Sequence, residues 1–186
     1  MNVNIRKLHE DAVIPRYATP GAAAFDLVSV ADVIIAPGET ALVPTGLAFE
    51  IPVGYVMDIR PRSGITVNTK LRVGNTPGTI DSDFRGEVNV IIDNIGVKDV
   101  FIAGSSNGHL VLIASTGITY DVTGANSGVK GNLDGTYLIR KGDRIAQALI
   151  QRIPHVEFTQ VDALSESERG EGGFGHSGVT SEVTAE

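Results

Sequence analysis

The sequence predicts an all-β domain, a sandwich or barrel of short strands, and three observations carry that prediction. Runs rich in Val, Ile and Thr recur along the chain, tight-turn residues separate them, and no long amphipathic helix breaks the pattern. The 186 residues include 22 Gly and 8 Pro, the residues that tight turns demand. A chain of this length suits one domain with a sizeable core; two full domains would be cramped.

In chain order, Val3-Asn4-Ile5 opens as an alternating strand. Thr19-Pro20-Gly21 turns the chain into Ala22-Ala23-Ala24-Phe25-Asp26-Leu27. Ala36-Pro37-Gly38-Glu39 is a second turn, followed by strand-like residues 40–43 and 47–51. Pro52-Val53-Gly54 then leads into residues 55–60. Residues 63–70 are the one fair helix candidate, and their β-branched content makes them poor helix formers. Val88-Asn89-Val90-Ile91-Ile92 reads as a buried strand, and so does Ala148-Leu149-Ile150.

Residues 97–136 differ in kind. They carry seven glycines and five charged residues, with apolar bursts at Val100-Phe101-Ile102 and residues 110–114. Turn signals at Ser106-Asn107-Gly108 and residues 132–135 frame one or two hairpins. From Ser165 onward the chain is polar and Gly-rich, with too little apolar surface to pack by itself. It is expected to be mobile until it meets a ligand or another subunit. The expected organisation is a β domain over 1–164, interrupted at about 97–136, and a flexible arm over 165–186.

Charge and composition narrow the functions. The net charge of −7 argues against a general nucleic-acid binder. It leaves room for a small anionic ligand, because a few clustered cations or a bound metal ion reverse the local field. With no cysteine there is no disulfide framework and no thiolate metal site. No apolar stretch approaches a membrane span, and the amino terminus lacks a signal-peptide core. An intracellular, cytoplasmic address away from membranes is expected.

Four segments hold side chains suited to chemistry. Gly78-Thr79-Ile80-Asp81-Ser82-Asp83-Phe84-Arg85-Gly86-Glu87 places two acids, a ring and a cation between glycines at the head of a strand. Acids held there can be fixed in place, as a catalytic base requires, although a solvated hairpin tip has the same composition. Pro61-Arg62-Ser63-Gly64 combines a guanidinium, a hydroxyl and a turn, which suits phosphate oxygens. Its simpler reading is a turn in which Ser63 caps a short helix. In Gly142-Asp143-Arg144-Ile145-Ala146-Gln147 the charged pair reads as a structural turn, whereas a buried Gln147 amide needs partners. Residues 169–178 contain five glycines, which permit close backbone approach to a ligand. There Arg169 and Ser177 suit phosphate oxygens and Phe174 suits a flat ring. His176 reads as a local hydrogen-bonding residue, since no second His stands at metal-ligand spacing.

Taken in order, residues 22–27, 61–64, 78–86, 142–147 and 169–178 resemble the five motifs of the homotrimeric dUTPases. The resemblance implies a β jelly-roll (β-clip) subunit and a homotrimer with a swapped C-terminal arm. It implies hydrolysis of dUTP to dUMP and pyrophosphate, assisted by Mg²⁺ held by the phosphates and waters, with no side chain binding the metal directly. Such activity limits uracil incorporation into DNA and supplies dUMP for thymidylate synthesis. Asp81 matches the general base, and Asn75, Thr79, Ile80 and Asn89 match the hairpin that reads uracil. Phe84 stands where many members have Tyr, keeping the ring that packs under deoxyribose and losing the phenol. Arg62, Ser63, Gly64 and Gln147 match phosphate contacts, and Asp26 matches the acid that organises Arg62. On the arm, Phe174 matches the ring that covers uracil, and Arg169 and Ser177 match γ-phosphate contacts. His176 replaces a commoner small hydroxyl residue.

By the same resemblance Tyr137-Leu138-Ile139 fits the strand before the fourth motif, so residues 97–136 are mostly inserted. Such an insertion reads as a hairpin extending the subunit, or as a surface for a protein partner. Two rival functions share the pattern: a dCTP deaminase-like nucleotide enzyme, and a regulatory or interaction protein on a dUTPase scaffold acting through residues 97–136. Asp81 in its setting and the closing arm weigh against both.

Overall fold

The structure is a computed structural model, and it describes residues 1–97, 100–106, 109–114, 117–129, 134–174 and 176. The chain divides into two compact units, Met1–Pro154 and His155–Glu186. Among the described residues no helix is long and apolar enough to cross a membrane.

All described strands lie in the first unit. They are β1 (Asn4–Lys7), β2 (Phe25–Val28), β3 (Val33–Ile35), β4 (Thr40–Pro44), β5 (Leu47–Glu50) and β6 (Tyr55–Arg60). After α1 (Ser63–Asn68), the one helix among the described residues, come β7 (Leu71–Val73), β8 (Gly78–Ile80) and β9 (Asn89–Asn94). The remainder are β10 (Val100–Ser106), β11 (His109–Ala114), β12 (Thr119–Asp121), β13 (Thr136–Ile139) and β14 (Arg144–Arg152). The expected all-β class is what forms. The helix ends two residues before its expected limit, because Thr69 is extended and its hydroxyl donates to the Ile65 carbonyl at 2.7 Å.

Two sheets frame the core: β2-β14-β6-β8, antiparallel throughout, and β4-β9-β7. Alternation decides which side chains go inside. Phe25 and Leu27, Met57 and Ile59, and Ala146 and Ala148 point into the core, while Asp26, Asp58 and Gln147 take the opposite phase. From the second sheet Val43, Val90 and Ile92 complete the cluster. Leu27 and Met57 are fully buried, and each such side chain contributes about 1.5–3 kcal/mol relative to exposure. Phe25 stacks on Phe49 and meets Tyr17 edge-on, with centroids 6.5 and 5.8 Å apart.

The inserted segment is rooted by one buried amide. Asn94 Nδ2 donates to the Ile35 and Gly135 carbonyls at 3.0 and 2.8 Å, and its Oδ1 accepts from Gly96 N at 3.0 Å. Both ends of the insertion are therefore tied to the end of β9. β10 and β11 pair antiparallel, as a hairpin reading expects. β12 departs from that reading, since it pairs parallel with β13. The reason is a reversal inside the insertion: Asp121 accepts from Ala125 N, and Ser127 N donates to the Thr119 carbonyl. That reversal occupies one edge of β12 and leaves the other for β13. The turn residues at 107–108 and 132–133 lie outside the described residues, as do the side chains of the apolar bursts at 100–102 and 110–114.

Candidate active site

Strand register builds the first half of the site. Gln147 stands opposite Asp26 on one side and opposite Arg60 on the other. These three side chains form a row on the face of the sheet away from the core. A register shift between Arg144 and Ala146 bends β14 at its start, which is how a bulge re-aims a side chain. Arg144 thereby reaches Asp26.

The Asp26 carboxylate holds two guanidinium groups, one on each oxygen. Arg62 Nε donates to Oδ1 at 2.7 Å, and Arg144 Nη1 donates to Oδ2 at 3.2 Å. Arg62 Nη1 also donates to the Arg144 carbonyl at 3.2 Å. With two cations on one anion the group keeps a positive balance, as an anion site requires. Gln147 Nε2 donates to the Pro61 carbonyl at 2.8 Å, fixing the turn that follows β6. Arg62 occupies the N-cap position of α1 without a side-chain cap bond, and Ser63 and Gly64 are its exposed first residues. Ser63 is thus inside the helix and not its cap, since Arg62 is the last extended residue before it. Asp143 closes its own turn, accepting from Arg140 N at 2.7 Å.

The second half is the hairpin around β8, the edge strand beside β6. Gly78 is buried opposite Ile59, and a Cβ there would come 3.3 Å from the Asn75 amide. The Asn75 side chain therefore lies against the strand's backbone. Thr79 and Asp81 are exposed and Ile80 is half-buried. The Asp81 carbonyl accepts from Phe84 N at 3.2 Å, closing the turn. Arg85 Nη1 stitches that turn by donating to the Ser82 and Phe84 carbonyls at 2.6 and 3.0 Å. The Phe84 ring lies over Gly86, where a Cβ would approach its Cζ to 2.6 Å. Asn89, half-buried at the start of β9, donates weakly to the Glu87 carbonyl at 3.4 Å.

One chain keeps these halves apart. Ile80 stands opposite Met57, so Asp81 falls level with Val56, four residues from the Arg60 row. Asp26 lies three strands away from β8 across the sheet. With a rise of about 3.3 Å per residue and about 4.8 Å between strands, Asp81 and the Asp26–Arg62 pair are roughly 15–20 Å apart.

The second unit, taken by itself, contains the remaining residues. Arg169 Nε donates to the Gly172 carbonyl at 2.6 Å. Phe174 has a fully exposed ring and a φ of 39°, a left-handed conformation uncommon outside glycine. His176 is exposed, its backbone N–H bonded to the Gly173 carbonyl and its ring against Gly172. Ser177 lies outside the described residues.

Sequence reasoning missed Arg144, taken there as part of a structural turn. Its proximity to Gln147 was the available signal, but only the bulge reveals that it shares Asp26 with Arg62. Asp58, a buried acid of β6, is satisfied structurally: it accepts from Arg60 Nη2 at 3.1 Å and Gln151 Nε2 at 2.8 Å.

The architecture has solved counterparts. It matches the Staphylococcus bacteriophage 80alpha dUTPase, determined with dUPNHPP, at a TM-score of 0.82 and 30% identity, covering 96% of this chain and 99% of that one. It also matches a variant of the dUTPase from phage phi11 of S. aureus, a structure that details coordination of a structural Mg(II) ion. There the TM-score is 0.73 at 28% identity, over 88% of this chain and 98% of that one. The subunit is thus an all-β, dUTPase-like subunit. In sequence, the dUTPase family model matches residues 10–106 and 101–178. The deoxyuridine 5'-triphosphate nucleotidohydrolase of Helicobacter hepaticus is 41% identical over 179 residues, 96% of this chain and 90% of that one. The chain belongs to the dUTPase family.

Proposed function

We propose that the protein hydrolyses dUTP to dUMP and pyrophosphate at sites assembled between copies of the chain, three in a homotrimer. The observation that carries this reading is the separation of Asp81 from the Arg62–Asp26 pair on one sheet. A base and a phosphate clamp about 15–20 Å apart cannot serve one α-phosphate, whereas two copies can bring one of each together.

In this mechanism the Asp81 carboxylate orients a water and takes its proton as the oxygen attacks the α-phosphorus in line. The bond from that phosphorus to the α–β bridging oxygen breaks, and pyrophosphate leaves. Arg62, the Ser63 hydroxyl, the Gly64 backbone and Gln147 hold phosphate oxygens, with Asp26 orienting Arg62. Asn75, the strand from Thr79 and Ile80, and Asn89 read the uracil edge, where a close-fitting hairpin excludes thymine's methyl. Phe84 packs under deoxyribose and disfavours a ribose hydroxyl. Arg169, Phe174, His176 and Ser177 belong to an arm that covers the nucleotide.

Mg²⁺ would be held by the substrate's phosphate oxygens and waters. The donors at the Arg62 row are cationic and neutral groups that suit phosphate oxygens, and an ion carried by those oxygens and waters needs no all-protein cage. When bound, it would supply positive charge that offsets charge developing on the phosphates. Removal of dUTP keeps uracil out of DNA and supplies dUMP, work that fits a cytoplasmic address.

The test is pyrophosphate release by purified protein from dUTP, dCTP, dTTP and UTP with Mg²⁺. Strong preference for dUTP is expected. Deamination of dCTP, or no turnover of any of the four, would overturn the reading.

A further inference from the structure

The part of the insertion nearest α1 offers a function beyond decoration. Gly124 lies against the last residue of the helix: a Cβ there would collide with the Asn68 backbone carbonyl oxygen. Gly124 also has a φ of +83°, so both its conformation and its bare Cα are needed at this contact.

The turn that presents Gly124 is firmly held. Asp121 Oδ1 accepts from Thr123 N at 2.8 Å, Thr123 Oγ1 at 2.6 Å and Ala125 N at 3.1 Å. Tyr120 and Val122 pack against the core, and Tyr120 meets Tyr137 with ring centroids 5.9 Å apart. The Ser127 carbonyl accepts from Arg140 Nη2 at 2.8 Å. On the other side of the contact, Tyr137 Oη accepts from Lys70 N at 3.0 Å, just past the helix end. One tyrosine thus touches both the turn's neighbour and the helix exit.

We propose that residues 119–127 are a brace for α1, with Gly124 as the positioning residue that sets where the helix presents Arg62, Ser63 and Gly64. The mechanical path is short. A helix of six residues spans about 9 Å, and the Arg62 carbonyl accepts from Thr66 N inside its first turn. Displacing Asn68 therefore displaces the residues assigned to phosphate binding. The functional half of this inference rests on the proposed dUTP reading; the structural half does not.

The experiment compares Gly124→Ala with Gly128→Ala. Gly128 has a φ of +80° in the same segment but nothing within 4 Å of a Cβ, so it carries the backbone strain without the contact. A second pair, Asp121→Ala and Asp121→Asn, loosens the turn or keeps its acceptor without adding bulk. Hydrogen exchange in the ligand-free protein reads the Thr66 and Thr69 amides, and calorimetry reads the affinity for a non-hydrolysable dUTP analogue. Gly124→Ala and Asp121→Ala should each lower protection of those amides and analogue affinity about tenfold. Gly128→Ala and Asp121→Asn should resemble the unsubstituted protein, and β14 amides should stay protected in all four variants. Unchanged protection at Thr66 and Thr69 would overturn the brace. Lowered protection with unchanged analogue affinity would overturn the positioning role. Failure of the unsubstituted protein to bind the analogue would remove the dUTP reading and the positioning role with it, leaving the brace to the exchange data alone.

Discussion

Arg62 and Arg144 share the Asp26 carboxylate, one guanidinium on each oxygen, although the three residues come from three separate segments. Asp26 thus holds Arg62 in place, the cation assigned to the proposed phosphate clamp. Replacing it should loosen Arg62 more than it unfolds the protein, because ion pairs this close to solvent contribute only about 0–1 kcal/mol. Asp26→Ala should weaken binding of a dUTP analogue about tenfold while moving a urea midpoint little. Titration calorimetry beside a denaturation curve checks both. Unchanged affinity would show that Arg62 needs no such support.

Asn94 makes the opposite kind of prediction. It is 1% exposed and joins the Ile35, Gly96 and Gly135 backbones. Asn94→Ala takes the donor from one buried and one part-buried carbonyl, a loss of about 2–3 kcal/mol. Urea unfolding should show that loss, and exchange should show it concentrated at the two roots of the insertion.

Asp121 should titrate below the usual 3.8 of an aspartate. Partial burial pushes its carboxyl up, but the hydrogen bonds from Thr123 and Ala125, aided by the charge of Arg140, outweigh it and lower the value. A depressed folded value means that the turn's stabilisation is present above pH 3.8 and is lost as pH falls through the folded pKa. A carboxylate carbon titration by NMR checks it. A midpoint at or above 3.8 would contradict the hydrogen-bonded geometry.

Much of this molecule was legible in its residues, for identifiable reasons. Tyr55–Arg60 and Thr40–Pro44 announce themselves as strands because turn residues bracket them closely. Val33–Ile35, Leu71–Val73 and Gly78–Ile80 do not, since three residues are too few to display a period of two. The parallel pairing of β12 was hidden because it depends on a reversal held by the Asp121 side chain and by backbone bonds such as Ser127 N to the Thr119 carbonyl. Candidate site residues stood out by type and order, whereas their spacing did not. Register alone places Gln147 between Asp26 and Arg60 and sets Asp81 far from both.

That distance gives the most direct test. Asp81→Asn removes the proposed base and Arg62→Ala the proposed clamp, so each variant alone should turn over dUTP at a small fraction of the normal rate. Co-expressed, the two should assemble mixed oligomers in which an intact Asp81 from one copy faces an intact Arg62 from another. Sites built between copies predict that the mixture regains a substantial share of dUTP turnover. Activity no higher than that of the separate variants, in oligomers shown to be mixed, would contradict the account.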